Sequence, residues 1–151
     1  MAFVHGPGLW KARGVSLASR PRYSVAGRCV DSFKPGILNE VTSVEDFDFL
    51  VESGATTESL VVIEFYAKWC KKCIKMMPRF RKIALDNRDC WFGKVDINAV
   101  GKLPRRQKIK EMPTFQIFSG TEKLGEVIGS LDADTVDEEI RNYFPSDKDP
   151  G

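Results

Sequence analysis

Cys70 and Cys73 are the residues in this chain whose type and spacing most readily do chemistry. A C-x-x-C pair can hold a metal, remain as two inert thiols, or open and close as a disulfide. The surroundings separate these uses. Zinc takes four ligands, usually from a second C-x-x-C or a pair of histidines. The chain has 1 histidine, His5, and its other cysteines, Cys29 and Cys90, stand alone. No metal site is therefore expected, and no organic cofactor is implied. Cys90 reads as a core thiol, and Cys29 as part of the N-terminal segment.

The elements around the pair give it a direction. Leu60 to Tyr66 is a nearly continuous β-branched and aromatic run, the pattern of a central strand buried on both faces. From Cys70 to about Asn87 the pattern turns helical, with Cys73, Met77, Phe80 and Ala84 at helical spacing and a kink expected at Pro78. Cys70 would then start a helix, where unpaired N–H groups and the helix dipole stabilise a thiolate, the species that attacks disulfides. Cys73 lies one turn along on the same side, within bonding reach. Glu64 sits inside the apolar strand, where a carboxylate is expensive unless it is paired or protonated.

Other segments complete an alternating order. Ile37–Val41 reads as a strand, and Ser43 with Asp46 resembles a capping box for a helix that Gly54 should end. Cys90–Val95 is a further strand, and Asn98 can cap a short helix. Thr114–Ser119 and Glu126–Ile128 form a hairpin around Gly120, and Asp132 or Asp134 opens a last helix stopped by Pro145, with Val136, Ile140, Tyr143 and Phe144 inward. This βαβαβ(α)ββα order makes an α/β sandwich with a mixed sheet.

The chain has 151 residues, 42% of them hydrophobic and 29% charged, which suits one globular domain with tails. Residues 1–30 carry five Lys or Arg and no acid, so the formal net charge of +2 conceals a mildly acidic body. That acid-free, Arg- and Ser-containing start has transit-peptide composition. Its Gly and Pro residues interrupt a long amphipathic Arg helix, which favours the chloroplast stroma over the mitochondrion. The expected organisation is a transit or disordered segment over 1–35, the domain over 36–145 and a disordered tail over 146–151. No stretch is apolar enough to span a membrane.

With these residues assembled, the chain resembles thioredoxins. The likeness is carried by Phe65-Tyr66-Ala67-Lys68-Trp69-Cys70-x-x-Cys73, by Pro78, by Met112-Pro113-Thr114 and by Gly129, and extends over about residues 37–144. The inner pair Lys71-Lys72 departs from the Gly-Pro of thioredoxin and is similar to chloroplast thioredoxin-like proteins with a Trp-Cys-Arg-Lys-Cys centre. The resemblance implies a three-layer sandwich, a central mixed β-sheet flanked by helices. It implies that Cys70 is the nucleophile and Cys73 the resolving thiol of a redox-active disulfide. Pro113 matches a cis-proline facing that disulfide, so that Met112 can pair with an extended substrate strand, and Trp69 flanks the same surface. Glu64 matches a buried acid that relays a proton to the resolving thiol, where Asp is usual, and Lys94 matches its partner.

Two cations at a helix start oppose the dipole, and their functional reading is thiolate stabilisation, about 0.3–1 kcal/mol from each of Lys71 and Lys72. That would raise the reduction potential some tens of millivolts above the ~−270 mV of thioredoxin. Seven Lys or Arg and no acid lie between Lys68 and Lys82. This basic rim favours acidic protein partners or glutathione. Expected partners are target proteins with disulfides or dithiols, a peroxiredoxin among them. Nucleic acid is not expected, since no recognised binding fold accompanies the charge. The protein should act as a monomer. The competing reading is a non-catalytic binding module on the same fold.

Overall fold

The structure is a computed structural model that describes residues 32–129 and 132–145. The expected transit segment, apart from residues 32–35, lies outside the described residues, as do Cys29, His5 and the C-terminal tail. Five strands form one sheet: β1 (Leu38–Val41), β2 (Leu60–Tyr66), β3 (Trp91–Asp96), β4 (Thr114–Ser119) and β5 (Glu122–Ile128). Their order is β1-β3-β2-β4-β5. The first three are parallel, and β4 and β5 run antiparallel to their neighbours, so the sheet is mixed. The helices are α1 (Val44–Thr57), α2 (Lys71–Asp86), α3 (Lys102–Arg106) and α4 (Ala133–Arg141).

Alternation along β2 sends side chains to two separate cores. Val61, Ile63 and Phe65 pack with Phe47, Leu50 and Val51 of α1. Val62 packs on the opposite face with Met76, Phe80 and Ile83 of α2 and Val136 and Ile140 of α4. Phe80 is fully buried there, edge-on to Phe92 and Phe115 with ring centroids 5.8 and 5.0 Å away. This is the three-layer sandwich expected from the sequence. The same alternation puts Glu64 on the α2 side.

Several local expectations are corrected. Helix α1 runs through Gly54 to Thr57 and ends at Glu58, which has φ 55. Gly54 is there because the helix passes close to β2: a Cβ would lie 2.1 Å from Val61 Cγ2. The Ser43 hydroxyl accepts the Asp46 N–H at 3.0 Å, but the Asp46 carboxylate turns to Thr42, accepting its N–H and hydroxyl at 2.9 Å. On α2 the buried methionine is Met76, and Met77 is half-buried. Asn98 lies in a turn, its N–H donated to Asp96, and α3 starts after Gly101 without a side-chain cap. Strand β5 begins at Glu122, four residues earlier than expected, because an edge strand tolerates exposed polar residues. Helix α4 stops at Arg141, although Phe144 still turns inward onto Phe92. Cys90 is half-buried and packs against the edge of the core on the α2 side.

Candidate active site

Strand β2 ends at Tyr66 and helix α2 begins at Lys71, so Cys70 occupies the N-cap. Its sulfur accepts the backbone N–H of Cys73 at 3.3 Å. That bond satisfies one of the unpaired donors of the first helical turn and directs it at the sulfur. The first turn contains no acidic residue to oppose a negative sulfur, and Lys71 and Lys72 both lie exposed on it. Both cysteines are free thiols. Both are buried, but the pair is graded: Cys70 keeps 8% exposure and Cys73 1%.

The loop before β4 meets the pair from the opposite side. The Cys70 thiol reaches the Met112 carbonyl at 3.9 Å, and the Met112–Pro113 bond is cis. The Thr114 hydroxyl donates to the Glu111 carbonyl at 2.7 Å, and the Gly129 N–H to the Pro113 carbonyl at 2.7 Å. These two bonds pin the loop at both ends. Gly129 is required by the closeness of this packing, since a Cβ there would come within 2.4 Å of Pro113 Cγ. Trp69 is 68% exposed beside Cys70, and Ile74, which the sequence reading missed, is 61% exposed just past Cys73. An apolar residue off the buried stripe of a helix is the signal that could have found it.

Beneath the pair, Glu64 is fully buried and neither carboxylate oxygen has a hydrogen-bond partner. Burial pushes its pKa up to about 8, with the Lys94 charge opposing the rise. Glu64 and Lys94 are in register across β2 and β3. The two do not form the expected pair, however. The Lys94 ammonium lies 5.6 Å from the centre of the Tyr66 ring, which faces the same side of the sheet two residues along β2. Lys94 therefore acts on Glu64 by field and not by contact. Burial, with a smaller contribution from the hydrogen bond to Cys70, pushes the Cys73 thiol up to about 12, and the Glu64 charge adds to the rise. The arrangement is a nearly buried sulfur held by a helix N–H, a more deeply covered thiol that needs a base, and a buried acid whose pKa is raised to about 8.

Part of the basic rim is neutralised. Arg79 pairs with Asp134 at 2.6 Å, and Lys68 lies 3.9 Å from Asp96. Among the described residues no group of three His, Cys, Asp or Glu could hold a metal, and no helix is long and apolar enough to cross a membrane.

Comparison with known proteins gives a consistent match. The thioredoxin family model matches residues 39–142. The chain is 34% identical over 109 residues to thioredoxin-like 3-1, chloroplastic, of Arabidopsis thaliana, covering 71% of this chain and 52% of that protein. It is 35% identical over 106 residues to thioredoxin H2-1 of Oryza sativa subsp. japonica, covering 70% and 76%. The reduced Schistosoma mansoni thioredoxin pre-protein superposes with a TM-score of 0.63 at 30% identity, over 72% of this chain and 99% of that one. The chain spans about half the length or less of two of the curated relatives it matches.

Proposed function

Because the chain belongs to the thioredoxin family, we propose that it is a thiol–disulfide oxidoreductase working through Cys70 and Cys73 on disulfides or dithiols of target proteins. The observation that carries this reading is the Cys73 N–H held 3.3 Å from the Cys70 sulfur at a helix start. The less covered sulfur, with a preorganised donor, suits the nucleophile, and the fully covered thiol one turn on suits the resolver.

In the reducing direction, the Cys70 thiolate attacks one sulfur of the target disulfide. That S–S bond breaks, one target thiolate leaves, and Cys70 is joined to the other sulfur. Cys73 then gives its proton to the Glu64 carboxylate and attacks the Cys70 sulfur, releasing the second target thiolate. Two electrons pass from the dithiol to the target, whose thiolates take protons from water. A base works best when its pKa lies near the working pH, and about 8 meets that condition. Met112 and Pro113 provide the backbone edge along which a target strand lies, with Trp69 and Ile74 as apolar flanks.

Lys71 and Lys72 support a disulfide more oxidising than that of ordinary thioredoxin, suited to withdrawing electrons from target dithiols and passing them to a peroxiredoxin. The chloroplastic relative in Arabidopsis thaliana and the acid-free N-terminal composition support a plastid location, in the stroma.

Trapping tests the mechanism. A Cys73→Ser variant should retain target proteins as mixed disulfides that a reductant releases, and Cys70→Ser should retain none. Wild-type protein that binds its targets equally well as Cys70→Ser, and that exchanges no disulfides, would instead show a non-catalytic binding module.

A further inference from the structure

Beside Pro113 lies a cavity of about 290 Å³ between the first turns of α2 and the start of α4. Met76, Pro113, Ala133 and Val136 give it an apolar lining, and Lys72 and Lys75 also face it. Neither lysine has an ion-pair partner among the described residues, whereas Arg79 on the same helix is held by Asp134 and Asp137. Asp132, which also borders the cavity, is engaged with its own helix. Its oxygens accept the N–H groups of Asp134 and Thr135 at 3.0 Å and the Thr135 hydroxyl at 2.7 Å. The cavity therefore combines an apolar lining with two lysines that have no ion-pair partner among the described residues and one carboxylate, an excess of one positive charge.

Its size and place select an occupant. At the lower limit of the about 300–1,000 Å³ that whole small ligands occupy, this volume is ample for one side chain. A target strand whose cysteine meets Cys70 must pass Met112, whose carbonyl is 3.9 Å from that sulfur, and then Pro113, which walls the cavity. Successive side chains of an extended strand alternate at about 3.3 Å intervals, so a residue two positions from the cysteine faces the same side as it and can point at the cavity. We propose that this cavity is a specificity pocket for an Asp or Glu side chain within two residues of the target cysteine. The inference rests on the oxidoreductase reading and adds to it the class of target sequence preferred.

The test uses two synthetic peptides, each a disulfide-linked homodimer, that differ only in Glu or Gln at the positions two residues either side of the cysteine. The full chain, reduced beforehand, is mixed with each, and the rate constants for peptide thiol release are compared as a ratio. The Glu peptide should react about two- to fivefold faster at low salt, the factor expected of a partly exposed ion pair, and the advantage should shrink in high salt. Lys75→Gln should reduce the ratio towards 1 and Lys75→Glu should invert it. Lys82→Gln, an exposed lysine of α2 away from the cavity, removes the same charge and should leave the ratio unchanged. Equal rates for both peptides, or an equal loss of preference in Lys82→Gln, would overturn the pocket while leaving the oxidoreductase reading intact. No reaction with either peptide would overturn both. A Lys75-dependent preference for glutathione disulfide, absent for the acidic peptide, would overturn the choice of a polypeptide occupant.

Discussion

Replacing Glu64 by Gln should remove a pH-dependent loss of stability. Glu64 is fully buried with both oxygens unpartnered, and burial carries its pKa from 4.5 to about 8. A raised acid stabilises the fold most when protonated. That contribution is fully present below pH 4.5, falls as the pH rises towards about 8, and changes no further above it. Each pH unit within the window is worth about 1.4 kcal/mol, so at pH 7 the wild type should be about 3 kcal/mol less stable than a variant neutral at every pH. Gln is such a variant and keeps the shape of the protonated acid. Urea unfolding of both proteins, kept reduced, would be followed at pH 5, 6, 7 and 8. The Gln variant should lead by less than about 1 kcal/mol at pH 5 and gain steadily to pH 8 with an unchanged m-value. Cys73 is also raised, but from 9.0 to about 12, above this window. A stability difference that stays flat from pH 5 to 8 would show that Glu64 titrates alike in the folded and unfolded chain, and the argument from burial would fail.

Lys94→Gln should move the upper end of that pH window above about 8, because the Lys94 charge opposes the rise in Glu64; the same unfolding series, extended to higher pH, measures it. Gly54→Ala should destabilise the protein by about 1–3 kcal/mol, since the new Cβ would sit 2.1 Å from a Val61 methyl in a packed core; urea midpoints check this. Removing both Lys71 and Lys72 as Gln should lower the reduction potential, measured against glutathione, by about 10–40 mV, the equivalent of ~0.3–1 kcal/mol each at ~30 mV per 1.4 kcal/mol. A wild-type value at or below ~−270 mV would refute the role given to those lysines.

The legible parts of the site share one property: each is set by neighbours in the chain. The apolar run before Cys70 makes a strand wherever it is buried, and the change to helical spacing places Cys70 at a helix start. The Ser43 cap and the turn at Gly120, with φ 61, are likewise local. The misreadings involve contacts across the sheet. Gly54 looked like a helix end because its real constraint, Val61, comes from another element. Met76 and Met77 are equivalent choices for a stripe until α4 and the sheet select Met76. The resemblance pairs Lys94 with Glu64, and the two are in register, but the Lys94 ammonium lies 5.6 Å from the Tyr66 ring centre and acts on Glu64 by its field.

By itself, then, the amino-acid order determined which atoms can react and the local backbone that presents them, because caps, turns and periodicity act within a few residues. Tertiary structure alone decided how those atoms behave. The pKa of Glu64 near 8 comes from burial beneath α2, and the cover over Cys73 from the same packing. The charged cavity by Pro113 arises where α2 and α4, about sixty residues apart in the chain, come together. Solvation and charge depend on everything packed around a group, and that environment is assembled only when distant segments meet.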